Sequence, residues 1–351
     1  MTVSNDLIVR HMQPTDEDLE LFRGLWIEEG SFKTLNHVRW QYLANPGKGL
    51  FVDFAIDPVV NKLAAVYAVL PVYFWIKGQV RLACQSLDTR TGVNYRGRGL
   101  FVKLAKMVYE RCEKEGIAFV YGFPNRNSVH GFYNRLNWHS LDPIPQLIKP
   151  LKLTYLLRKL ISRGPSPKEN PVTVTPLEVK KPIVPLQEFD DQVDDLWKEF
   201  AQPVGVAINR TKEYLNWRFR DRPDSHYITL GYYEGNKLEG LVIYRMMEKH
   251  GGKVGYVMEL LFRPEKSEIG KVLLDCAIKH FRQENCDVAL CMSLENSPTH
   301  SVFRRAGFVH IPSWLSPIEL HFGVRPLALK DEALLFNRNF WFLSYADSDT
   351  V

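Results

Sequence analysis

Apolar and polar positions alternate in two registers along the chain, and the switch between them marks its elements. Leu7–Arg10 reads as a short strand, and a helix starts near Thr15 with an acidic first turn, Asp16-Glu17-Asp18, matched to the positive end of a helix dipole. That helix runs to about Glu29, where Gly30 can end it. A second helical piece, Asn36–Leu43, stops at Asn45-Pro46-Gly47. Strands are expected at 50–56, 63–70, 72–76 and 79–86, the last two joined by a Lys77-Gly78 turn. From residue 100 the period becomes helical: Leu100, Leu104, Ala105, Val108 and Cys112 share one face. A strand over 117–121 and a short helix from Asn127 to Leu136 follow.

After residue 141 the pattern dissolves. Prolines crowd 142–186, which reads as a connector interrupted by a basic, apolar helical piece over 151–161. Then the pattern starts again. Tyr214-Leu215-Asn216-Trp217-Arg218-Phe219 has the character of Val38-Arg39-Trp40-Gln41-Tyr42, and each tryptophan precedes a proline (Pro46 and Pro223) by the same spacing. Further on the offset shortens, so that Arg305-Ala306-Gly307-Phe308 lies on Arg135-Leu136-Asn137-Trp138. The chain therefore reads as two copies of one unit: 1–141, the connector 142–186, and 187–351.

Composition sets bounds on the chemistry. With 351 residues there is room for two ordinary domains, and 45% apolar with 24% charged residues is the balance of a globular protein. The formal charge of +5 is small and its basic residues are scattered, which argues against nucleic acid as a partner. Cys84, Cys112, Cys276, Cys286 and Cys291 sit in apolar runs without metal-ligand spacing, as buried thiols of a reducing compartment do. The first twenty residues lack a signal-peptide core, and no run has the length of a membrane span, so a cytoplasmic protein without stable membrane insertion is expected. No metal site is expected.

The two copies differ where chemistry would sit. In the first, Tyr95-Arg96-Gly97-Arg98-Gly99 joins a strand to a helix, and such a turn lets backbone amides approach phosphate oxygens. In the second, Arg96-Gly97-Arg98-Gly99 becomes Lys266-Ser267-Glu268-Ile269, whose carboxylate would oppose phosphate. Tyr133 likewise becomes Phe303, which has no proton to give. The active site is expected in the first copy.

Residues 84–138 resemble the acyl-CoA-binding core of the GNAT superfamily of N-acyltransferases. Arg96 and Gly99 fit that family's Arg/Gln-x-x-Gly-x-Gly/Ala signature, whereas Phe101 departs from it; Asn137-Trp138 departs from the usual Gly-Phe. The resemblance implies an α/β fold of two GNAT-like domains, each a mixed, mostly antiparallel twisted sheet flanked by helices, the second copy degenerate. It implies acetyl-CoA or another acyl-CoA as cosubstrate, held by Arg96, Gly97, Arg98, Gly99, Leu100 and Asn127. Its pantetheine arm would lie between strand 81–87, splayed, and strand 117–121. The implied reaction is direct attack of an acceptor's primary amine on the thioester, with Tyr133 protonating the departing thiolate and a strand amide stabilising the oxyanion.

Asp88 is the candidate general base, against a turn-capping role; Glu28 and Glu29 are weaker candidates. His130 and Cys84 read as packing residues. Near the C-terminus, Asp347 or Asp349 could enter the catalytic site, as in some tandem family members, against an aromatic strand that completes the second sheet. A non-catalytic acyl-CoA-binding or scaffold protein is the alternative to an enzyme, and aminoacyl transfer a further option. A small amine-bearing acceptor is expected as partner; oligomeric state is open.

Overall fold

In the computed structural model the described residues are 7–28, 33–126, 128–141, 144–152, 170–172, 174–175, 177–249, 251–311 and 321–348. They form two mixed, mostly antiparallel sheets, each flanked by helices. The first takes β1 (Ile8–His11), β2 (Phe51–Asp57), β3 (Lys62–Ile76), β4 (Gln79–Thr91), β5 (Phe119–Gly122) and β6 (His139–Ser140). Helices α1 (Asp16–Glu28) and α2 (Leu35–Tyr42) precede β2, α3 (Leu100–Lys114) links β4 to β5, and α4 (Val129–Arg135) follows β5. The second sheet holds β7 (Gln146–Pro150), β8 (Asn170–Pro171), β9 (Ile183–Pro185), β11 (Ile228–Glu234), β12 (Lys237–Lys249), β13 (Gly252–Phe262), β14 (Val288–Met292) and β15 (Val309–His310). Two strands from the second half belong to the first sheet: β10 (Val206–Ile208) and β16 (Gly323–Pro326).

The repeat is visible in the element bounds. Helix Lys212–Phe219 repeats α2, and β11 repeats β2, residue for residue. Trp40 and Trp217, 177 positions apart, stack at 4.7 Å between centroids and 14° between planes. Each indole N–H donates to the other's backbone carbonyl, at 2.7 and 3.0 Å. Such mutual pairing of equivalent residues is the signature of a two-fold relation between the copies.

The sheets cut across the division drawn from sequence. The proline-rich connector contains β7, which inserts between β14 and β15 of the second sheet. Reciprocally, β16 from the C-terminal part inserts between β5 and β6 of the first. Each copy thus supplies a strand to the other's sheet, and one hydrophobic core runs through both, from Phe22 and Phe74 to Phe262 and Phe281. The expected helix over 151–161 lies largely outside the described residues.

Strand β3 also differs from expectation, being continuous through Pro71. Its pairing with β2 ends at Val69, and β10 takes up that edge only from Phe74 to Ile76. Pro71 falls in the gap, where β3 is laddered on one edge only and a missing N–H is tolerated.

Candidate active site

Strands β4 and β5 run parallel but pair only at Cys84–Val120, Gln85–Tyr121 and Ser86–Gly122. Beyond Ser86 they part, because β4 carries a bulge: Val66 faces Arg90 and Ala68 faces Leu87, leaving Asp88 and Thr89 opposite Tyr67 alone. Asp88 has φ +51°, a left-handed conformation that aspartate tolerates better than most side chains. The wedge opens into a cleft of about 850 Å³, walled by Ser86 to Thr91 on one side and Gly122 to Asn125 on the other. Trp26, Arg96, Phe101 and Phe132 also line it.

At the mouth, Gly97 and Gly99 have φ of +80° and +72°, and a side-chain carbon built on either would meet nothing within 4 Å. Gly99 is the N-cap of α3 and offers no capping side chain, and α3 has no acid in its first turn. Four backbone N–H groups at a helix start lack helical acceptors, so this end is suited to an anion. Leu100 is buried and anchors the helix start through its side chain. Arg96 lines the cleft, its Nε 3.4 Å from the Thr91 carbonyl, and the Arg98 guanidinium lies 5.3 Å from the Tyr95 ring centre. The turn is braced from behind: the Tyr95 hydroxyl donates to Asp57 at 2.7 Å. Asn127 lies outside the described residues.

Phe101, where the sequence departs from the signature, sits against Gly131 of α4, whose added Cβ would lie 2.8 Å from the Phe101 ring. Phe101 and Phe132 meet edge-on at 5.1 Å. The bulk gained at residue 101 is matched by a glycine on the facing helix, so the floor of the cleft stays packed.

Asp88 lines the cleft, and three donors converge on one of its carboxylate oxygens. Its Oδ2 accepts from Lys33 Nζ, from Gln41 Nε2 at 2.9 Å and from the Tyr42 hydroxyl at 2.9 Å. Burial pushes its pKa up, but the Lys33 ammonium and these hydrogen bonds outweigh that and hold it below the usual carboxylate value. Lys33 and Gln41 are partners the sequence reading did not name. Lys33 lies just before α2, whose N-cap is Thr34, and Gln41 lies in its last turn. The Tyr133 hydroxyl donates to the Phe322 carbonyl at 3.3 Å, beside the inserted β16, and Tyr133 is not among the residues lining the cleft. Glu28 pairs with Lys62 on the surface, and Glu29 lies outside the described residues. Cys84 is buried, and burial drives its thiol pKa well up, as for a core residue.

Among the described residues the C-terminal segment forms no strand of the second sheet. Tyr345–Asp347 is a short 3-10 turn, and Asp347 is buried against Arg210 at 2.6 Å rather than turned to solvent or to Asp88. Asp349 lies outside the described residues. Among the described residues no helix is long and apolar enough to cross a membrane.

Comparison with known proteins agrees with this geometry. Residues 37–140 match the model of an acetyltransferase (GNAT) domain, and residues 190–308 that of the acetyltransferase (GNAT) family. No curated protein matches the chain in sequence. Among solved structures, Saccharomyces cerevisiae N-myristoyltransferase with bound myristoyl-CoA superposes with a TM-score of 0.61 at 14% identity, over 93% of this chain and 80% of that one. A conserved Enterococcus faecalis V583 protein described as a probable N-acyltransferase gives 0.61 at 15% identity, over 92% and 73%. A GCN5-related N-acetyltransferase from Anabaena variabilis gives 0.61 at 12% identity, over 91% and 73%. At such identities these likenesses establish the fold, and the two family matches establish the lineage: this chain is a tandem member of the GNAT superfamily, an acyl-CoA-dependent acetyltransferase by its domain architecture.

Proposed function

We propose that the first copy transfers an acetyl or other short acyl group from acyl-CoA to a primary amine of a small acceptor. The observation that carries this reading is the open wedge between β4 and β5, fronted by the uncapped start of α3. Acyl-CoA fits these residues. Its pyrophosphate would lie on the backbone of Gly97 to Leu100, with Arg96 and Arg98 supplying positive charge, and its pantetheine arm would enter the wedge. The thioester then sits near the bulge at Asp88, where a β4 amide faces the developing oxyanion.

The acceptor amine must lose a proton before attack. Asp88 is the acidic residue in the cleft wall, and its depressed pKa makes it better at holding an ammonium than at deprotonating one. Tyr133 serves as the acid in this scheme by exchanging its bond to the Phe322 carbonyl for one to the departing thiolate. That same bond favours a second reading, in which the protein binds acyl-CoA without transferring its acyl group.

Calorimetry with acetyl-CoA on the wild type and on Gly99→Glu tests the site. Saturable binding should weaken on the order of 100-fold in the variant, through backbone strain and like charge. Binding that survives the substitution would remove the cosubstrate from this turn. In a screen of small amines, Tyr133→Phe should lower kcat on the order of 100-fold while leaving acetyl-CoA affinity intact. An unchanged kcat would take Tyr133 out of the chemistry. Absence of turnover with every amine would leave the binding role.

A further inference from the structure

An amine of the protein itself, Lys33, contacts Asp88 and lies over the Trp26 ring, two residues of the cleft wall. The Lys33 ammonium contacts Asp88 Oδ2, donates to Gln41 Oε1 at 3.0 Å, and lies 5.3 Å from the Trp26 ring centre and 5.9 Å from that of Phe22. Asp88 and Trp26 both wall the cleft. Two aromatic faces, a carboxylate and an amide oxygen together make a pocket for a primary ammonium, and Lys33 occupies it. The repeat sharpens the point. The equivalent residue of the second copy is Arg210, which likewise reaches the bulged strand, at Glu259 of β13. A guanidinium there is charged at any working pH and does not attack carbonyl carbon, whereas a lysine amine does.

We propose that Lys33 is itself an acyl acceptor, modified in cis by acyl-CoA bound in the first-copy wedge. This rests on the acyl-CoA site proposed above. The Lys33 ammonium gives up a proton to solvent, and the neutral Nζ attacks the thioester carbonyl. A C–N bond forms as the C–S bond breaks. The sulfur leaves with the second proton as free CoA thiol, so that ammonium and thioester become amide, thiol and one released proton. Acylation removes the charge that Asp88 now neutralises. Asp88 and the Gln41 Oε1, which now accept from Lys33, are thereby freed to hold the ammonium of a second amine.

The test uses the full chain incubated with acetyl-CoA at mildly alkaline pH, followed by intact-mass measurement and tryptic mapping. Acylated Lys33 resists trypsin, so the label should appear in the peptide spanning 24–39. The wild type should gain one acetyl group there; Lys33→Arg, which keeps the charge on Asp88, should lose that increment. Gly99→Glu should lose it as well. Three results overturn the proposal: no increment although calorimetry shows acetyl-CoA bound, an increment that persists in Lys33→Arg, or labelling of Lys33 that survives Gly99→Glu and is therefore uncatalysed. The first leaves the acyl-CoA site standing. Absence of acetyl-CoA binding to the wild type would remove both the site and this inference.

Discussion

The two halves of the molecule build the same wedge and put different things in it. In the second copy β13 and β14 pair only at Val254–Val288, Gly255–Ala289 and Tyr256–Leu290, and β13 carries a bulge at Met258 where β4 has Asp88. There the protein fills the opening itself. Tyr345 packs edge-on to Tyr256 at 5.4 Å, and Ser344 donates to Glu259 at 2.9 Å. Arg218, the counterpart of Gln41, holds the carbonyls of Ala346 and Ser348 at 3.3 and 3.0 Å. The helix start is closed too, since Glu268 pairs with Arg305, and Gly270 lets the helix settle on Phe262. An open wedge is therefore a maintained feature of the first copy. The fold by itself readily accommodates a plug.

The largest expected effect comes from breaking the plug. Arg210 is fully buried between Glu259 at 3.0 Å and Asp347 at 2.6 Å. Arg210→Ala leaves two buried carboxylates without their cation and should cost about 3–5 kcal/mol, read as a fall in urea midpoint. Its counterpart Lys33→Met should cost about 1–2 kcal/mol, because Asp88 keeps the Gln41 and Tyr42 donors and borders an open cleft. Equal losses would mean that the two cations play the same structural part, and the contrast between a plugged and an open wedge would weaken.

The next effect concerns the cleft floor. Gly131→Ala drives a methyl into Phe101 and should cost about 1–3 kcal/mol by overpacking. Combined with Phe101→Ala, which alone opens a cavity, the pair should be far less than additive. Additive losses in thermal unfolding would show that the two residues do not form one packing unit.

Much of this was legible in the sequence. The alternating and helical periods gave the element order of the first copy, and the shared tryptophan-to-proline spacing gave the repeat, in which Trp40 and Trp217 stack. The turn at Arg96–Gly99 showed itself through residue types that only an unusual backbone requires. What stayed hidden was long-range. Nothing in local pattern says that β16 pairs with β5 or β7 with β14, since a strand's partner is set by the whole core. The C-terminal aromatics read as a strand completing the second sheet, and only the gap between β13 and β14 turns them into a plug. Lys33 looked like any loop lysine until the bulge placed Asp88 opposite it.

The smallest effect probes what holds the second copy's wedge. Tyr227 stands where the first copy has Leu50, and its hydroxyl accepts from Arg222 at 2.8 Å, Arg218 at 3.1 Å and Arg245 at 3.5 Å. Burial pushes the phenol pKa up, but the three guanidiniums prevail and bring it down to about 7. The folded value lies below the unfolded one, near 10. Tyrosinate formation therefore adds stability as pH rises through the folded value, complete only above the unfolded one, and lost as pH falls back through about 7. One pH unit above the folded value the gain should be roughly 1 kcal/mol relative to mildly acidic solution. An ultraviolet difference titration of the native protein should show one tyrosinate near neutral pH, absent in Tyr227→Phe. If that signal appears only in the range of ordinary tyrosines, the arginines are neutralised by other groups, and the second copy's wedge is held by packing and the Arg210 pairs without a tyrosinate.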